Sequence, residues 1–192
     1  MKNKSLMQIA LGDQWQHLPP ALQAHYQSND NSDIGYLDIK YPIYMQPYLT
    51  LLRLFGVLIN RRGEKVPTTV DKHMQGDIQY WKRSIRFSQD KIILFKSFWV
   101  YAGSNELIEY VNPFIGLRMS VHIENNELHY EGRNIVVKLG KLLLPIPEWL
   151  VLGHTNIIET AINESEFRMD FKLKHPILGT IFRYSGEFKT IS

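Results

Sequence analysis

The sequence predicts an α+β fold: N-terminal helices packed on a long, strongly curved antiparallel β-sheet, a meander partly closed towards a barrel. Two observations carry this. Apolar residues recur at helical spacing in the first part of the chain and at a spacing of two from Val66 onward. Short turn signals separate the alternating stretches, and nothing of crossover length intervenes except near 145–152. Residues 1–192 are therefore assigned to one domain, with 1–60 a mainly helical cap and 61–192 mainly antiparallel sheet.

Taken in order, Ser5 is placed to cap a first helix, and "LMQIALGDQWQHL" sets Leu6, Ile9, Ala10, Trp15 and Leu18 on one side, with Gly12 dividing it. Pro19 and Pro20 restart a helix where a missing N–H costs nothing, turning Leu22, Tyr26 and the adjacent His25 inward. The polar tract "SNDNSD" reads as a loop. "GYLDIKYPIY" alternates as a strand up to Pro42, "PYLTLLRLFGVLIN" makes a short apolar helix, and "RRGE" a turn. Strands follow near 66–74, 78–88, 91–101, 106–111, 115–123, 127–138, 155–164, 166–175 and 179–189. The breaks between them, such as "QGD", "GSN", "ENN" and "PILG", hold the residues that tolerate turn dihedrals.

Composition narrows the function. Apolar content of 44% with 21% charged residues is that of a globular chain, which argues against wholesale disorder. The net charge of +3 is mild and the basic residues are scattered among acids, so no nucleic-acid partner is expected. Absence of cysteine excludes disulfides, thiolate metal sites and cysteine nucleophiles, and fits a reducing compartment. The basic start "MKNKSLMQIALGDQW" is broken by Gln8, Asp13 and Gln14 and reads as no signal peptide. The longest apolar run, "YLTLLRLFGVLI", carries Arg53 in its middle and falls short of the roughly 20 residues a membrane span needs. No membrane span and a cytoplasmic location are expected.

The strand "IQYWKRSIRF" places Arg83 on the same face as Trp81, Ile85 and Phe87. A guanidinium aimed at an apolar interior must meet an anion. Glu159, which shares a parity with Ile157 and Ala161, is the internal candidate. The carboxylate or phosphate of an otherwise apolar ligand is the alternative, because the planar fork suits either. Other inward faces are apolar, as in Phe167, Met169, Phe171 and Leu173, or Ile115, Leu117, Met119, Val121 and Ile123. Such a surface is either packed core or the wall of a cavity. The candidate ligand-binding set is Trp81, Arg83, Phe95, Trp99, Tyr130, Trp149, Glu159 and His175.

Motifs for chemistry are mostly absent. Seven histidines form no H-x-x-x-H or H-x-H pair, and His122 and His129, flanking "ENNE", read as a surface pair, so no metal is expected. There is no G-x-S-x-G elbow, Walker loop or G-x-G-x-x-G fingerprint, and no cofactor is expected. "KLLLPIPEWLVLG" reads as a strand end and one helical turn, with Trp149 and Leu150 packed over the mouth of the sheet; left exposed, it becomes a partner contact.

Five motifs follow one another through nearly the whole chain: "LG-x-x-W-x-x-L-x-P-x-L-x-x-H-Y" (Leu11 to Tyr26), "G-x-x-x-P" (Gly63 to Pro67), "W-x-R-x-x-x-F" (Trp81 to Phe87), "LPIPEWL" (Leu144 to Leu150) and "HPILGTIFRYSGEF" (His175 to Phe188). Their order resembles the bacterial domain-of-unknown-function family 4166, whose members stand alone or are joined to saccharopine-dehydrogenase-like segments. The resemblance implies a small accessory domain serving an oxidoreductase partner, and it carries over no catalytic residue. Three readings stand: a binding domain holding a small amphipathic or lipid-like molecule in the concavity of the sheet, an enzyme using Glu159 or His175 with Tyr130 as acid–base groups, and an interaction domain docking through 141–152.

Overall fold

The period-two stretches become eleven strands in a computed structural model that describes residues 4–28 and 30–191. Residues 1–3, at the start of the basic N-terminal stretch, and Asn29, within the tract assigned to a loop, lie outside the described residues. The strands are β1 (Asn31–Lys40), β2 (Gly63–Gln75), β3 (Ile78–Ser88), β4 (Lys91–Gly103), β5 (Glu106–Tyr110), β6 (Ile115–Glu124), β7 (Glu127–Leu139), β8 (Leu142–Ile146), β9 (His154–Ala161), β10 (Glu166–His175) and β11 (Gly179–Ile191).

Every pairing is antiparallel. β1 to β7 run as one meander and β9 to β11 as a second, and β11 returns to pair with β1. β7 completes the circle. One edge pairs with β6, while the other takes β9 over Glu127–Glu131 and β8 over Ile135–Leu139. Ten strands therefore close into a barrel and β8 lies outside it. Closure gives each of the ten strands a partner on both sides over at least part of its length, which is the usual remedy for a long antiparallel sheet.

Helices stop both ends. Ser5 caps α1 (Leu6–Leu11) in a reciprocal box with Gln8, and Gly12, at φ 54°, ends it and starts a 3₁₀ turn over Gly12–His17. α2 (Pro20–Gln27) then sends His25 and Tyr26 inward. Those two rings meet Trp81 of β3, Trp99 of β4 and Phe167 of β10. Contact with opposite walls means that α2 plugs the barrel. The other end is covered by α3 (Gln46–Leu54) and the residues after it, which bury Leu49, Leu52, Leu58 and Ile59. The Tyr48 hydroxyl donates to the Val151 carbonyl, and Arg53 donates to that of Leu94 (3.1 Å).

Three sequence expectations change. β1 begins at Asn31, inside the tract read as a loop, because Asn31 Nδ2 donates to the carbonyls of Ala24 and His25 and Asp33 is drawn into the barrel. α3 stops at Leu54 because Gly56 takes φ 75° and the Phe55 and Gly56 N–H groups turn back on Leu52 and Arg53. In the "LPIPEWLVLG" segment a 3₁₀ turn over Glu148–Leu150 buries Glu148 and leaves Trp149 45% and Leu150 59% exposed; Leu152 enters the core instead. The tight turn points its residues in three directions, and Glu148 takes the inward one by accepting the Thr155 N–H at 3.1 Å.

The seam between β1 and β11 needs glycine. A Cβ on Gly186 would lie 1.9 Å from the Tyr36 carbonyl oxygen, and one on Gly35 would lie 2.0 Å from that of Glu187. These contacts are to backbone, which cannot move without opening the ladder. Gly186→Ala is expected to lower stability by about 2–4 kcal/mol in chemical denaturation; unchanged stability would show that the seam is looser than this register requires.

Candidate functional site

Inside the barrel, three polar clusters stand among aromatic and aliphatic side chains. The deepest joins α2, β1 and β2. Asp33 is fully enclosed; its Oδ2 lies 3.0 Å from Lys72 Nζ and 2.9 Å from His25 Nδ1, and its Oδ1 accepts from the Thr190 hydroxyl at 2.7 Å. Lys72 Nζ also donates to the His25 carbonyl and lies 2.9 Å from His25 Nδ1. Burial lowers the His25 pKa to about 4, so the ring is neutral near pH 7. Burial likewise lowers Lys72 to about 8, with Asp33 limiting the fall. Burial acts to raise Asp33, but His25 and Lys72 overcome it and hold the carboxyl below its ordinary range.

The second cluster centres on Glu159 of β9. Its carboxylate oxygens lie 3.0 and 2.8 Å from the Tyr26 hydroxyl, and Tyr130 reaches Oε2 at 3.4 Å. The two phenols are also hydrogen-bonded to each other. Burial raises the Glu159 pKa to about 7 against the opposing pull of the Tyr26 hydrogen bond and the Lys72 charge. Burial, and then the charge of Glu159, pushes both phenols well above their ordinary value.

Arg83 belongs to the third cluster. Its Nη2 lies 3.1 Å from Glu109 Oε1, its Nη1 donates to Ser97 Oγ at 2.9 Å, and Ser97 donates onward to the same Glu109 oxygen at 2.6 Å. The guanidinium carbon sits 5.1 Å from the Trp81 ring centre and 5.4 Å from that of Phe95. Desolvation works to lower its pKa, but Glu109 keeps it raised. Glu109 stands here in place of the expected Glu159. β5 follows β4 in the barrel wall, so Ser97 and Glu109 come within reach of Arg83, whereas Glu159, on β9, is held by the tyrosines.

A cavity of about 100 Å³ lies between these clusters. Phe95, Trp99, Leu117, Ile135 and Phe171 line it together with Arg83, Glu109, Tyr130 and Glu159. Trp81 and Trp99 stack with ring centres 4.7 Å apart, and neither indole N–H has an acceptor among the described residues.

Six of the sequence candidates, Trp81, Arg83, Phe95, Trp99, Tyr130 and Glu159, therefore meet around one cavity. Two lie elsewhere. Trp149 is on the outer 3₁₀ turn, and His175 ends β10, where its Nδ1 accepts from the N–H groups of Ile177 (3.2 Å) and Leu178 (3.3 Å) and so caps a turn. Sequence reading missed Asp33, Lys72, Ser97 and Glu109. Lys72 and Glu109 were detectable: each continues an inward parity, Val66–Thr68–Val70 and Leu107 respectively. Asp33 gave no such signal, since it stood in a polar tract.

Fold and interior together define a closed ten-stranded antiparallel barrel, plugged by helices and carrying ionisable groups inside. Residues 18–188 match the family described as Domain of unknown function (DUF4166), and the chain belongs to that family. No curated protein matches the chain. Among the described residues no helix is long and apolar enough to cross a membrane.

A buried carboxyl whose pKa rises from 4.5 to about 7 favours folding most below pH 4.5, and that contribution is lost as pH rises through 7. The full difference is about 3 kcal/mol. Wild-type stability, measured by denaturation from pH 5 to 8, is expected to fall relative to Glu159→Gln; parallel curves would refute the raised pKa. Either Arg83→Met or Glu109→Gln alone should cost about 2–4 kcal/mol by stranding its partner. The double variant should cost less than the sum, and strict additivity in that cycle would mean the pair is not coupled.

Proposed function

We propose that the barrel is a binding domain that holds a small amphipathic molecule in its interior, the apolar body against Phe95, Trp99 and Ile135 and the polar head at Arg83. The observation that carries this reading is the contrast between two internal ion pairs. Asp33 and Lys72 are sealed, at 0% side-chain exposure each, whereas Arg83 and Glu109 keep 14% and 15% open and line the cavity. A guanidinium has five N–H donors, and Glu109 and Ser97 occupy only part of that fork. A carboxylate or carbonyl head group meets donors there.

A cavity of about 100 Å³ takes a short apolar body as it stands. A longer lipid-like chain requires one of the helical plugs to yield. Glu159 adds a pH dependence. With its pKa near 7, the carboxyl is neutral below that point and charged above it, so an anionic head is favoured on the acid side.

Native mass spectrometry of the purified chain, set against its denatured mass, reads bound ligand directly. Titration with short-chain carboxylates, followed by Trp81 and Trp99 fluorescence, tests the head group. The expected result is saturable binding that weakens about tenfold or more in Arg83→Leu. Absence of both co-purified mass and saturable quenching across such a series would overturn the proposal.

A further inference from the structure

The β6–β7 hairpin carries a feature on its outer face that the interior cavity does not involve. Its turn, Asn125-Asn126, has φ 51° and 62°, the dihedrals of a two-residue type I′ connection that fixes the register of both strands. That register sets His122 directly opposite His129 and Glu124 directly opposite Glu127. Val121, Leu128 and Tyr130 face the core, so these four side chains share the outside. The imidazoles stack with centres 5.3 Å apart. One donor atom each from His122, Glu124 and His129 lies within 4.8 Å of the others.

We propose that this hairpin face is a divalent-cation site of the Zn²⁺ class, with His122, His129 and Glu124 as ligands. Two imidazoles and one carboxylate form a donor set suited to borderline ions, and three protein ligands leave a fourth position for water. In a tetrahedral shell with metal–ligand bonds of about 2.0–2.2 Å, donor atoms stand about 3.3 Å apart. The three donor atoms lie within 4.8 Å of one another, and Glu124 is exposed, so its carboxylate is free to swing towards the imidazoles.

Two further observations favour a cation. Carboxylates placed directly across an antiparallel pair repel each other, and Glu124 and Glu127 do so beside two imidazoles rather than beside a lysine or arginine. His129 Nε2 is buried with no hydrogen-bond partner among the described residues; Glu127 Oε2 stops at 3.5 Å. Glu127 is itself held from β9, where the Thr160 hydroxyl donates to its Oε1 at 2.6 Å, so it is not free to turn towards the imidazole.

Calorimetric titration of the chelator-stripped full chain with ZnCl₂ tests the site. One Zn²⁺ per chain is expected, with affinity reduced roughly tenfold or more in His122→Ala and in His129→Ala. His73→Ala, which removes the surface histidine beside Asp30, should leave it unchanged. Co²⁺ should give ligand-field absorption bands in the wild type that His122→Ala lacks. Wild-type affinity retained in His122→Ala, or no stoichiometric Zn²⁺ binding by the wild type, overturns the proposal. If His129→Ala fails to fold, a Zn²⁺-induced shift of the His122 and His129 imidazole resonances in the wild type decides the same question.

Discussion

One buried carboxylate organises the end of this barrel that α2 plugs. Asp33 has no exposed side-chain surface, and an ion in such a place persists only if its partners are supplied by the fold. They come from three different elements: Lys72 from β2, His25 from α2 and Thr190 from β11. The requirement therefore fixes the helical plug against the wall at the seam where the first strand meets the last. It also explains why β1 begins so early, in residues whose composition is that of a loop. Neutral His25 is part of the same solution, because a second cation there would lack a counter-charge.

Charge matching inside the barrel then leaves one acid over. Lys72 answers Asp33 and Arg83 answers Glu109, while Glu159 faces two phenols and no cation of its own. Phenols donate to a carboxylate but do not neutralise it. Desolvation consequently dominates, and the carboxyl titrates near neutrality. The arrangement makes Glu159 the ionisable group on the cavity wall whose charge responds to pH near 7, with its charge state set by the same burial that creates the cavity.

The fold was legible where side-chain parity alone decides it. Alternation located nine of the strands to within about three residues at each end, because one face of each is wet and the other dry. It failed for β8, whose exposed leucines carry no alternation, and for the start of β1, where polar residues are inward. Inward-facing candidates were legible for the same reason: Trp81, Arg83, Phe95, Trp99 and Tyr130 all obey the period. Trp149 lay in a stretch without alternation; His175 continued the inward parity of Phe167 to Leu173, but the register shift after Leu173 and the turn that follows take it off the cavity wall.

What parity cannot supply is the partner of each inward charge. It states that Arg83 and Glu159 both point inward, and both do, yet the two are not paired. Pairing depends on the order of strands around the circle and on what the plug inserts between them. A flat meander would leave β9 far from β3; closure through β7 brings both round one interior, and Tyr26, arriving on α2, claims Glu159 first. Arg83 is then answered by the nearer wall, two strands away in the same meander. The interior chemistry is thus a property of barrel closure and of the helix inserted into it, and neither is written in the period of any single strand.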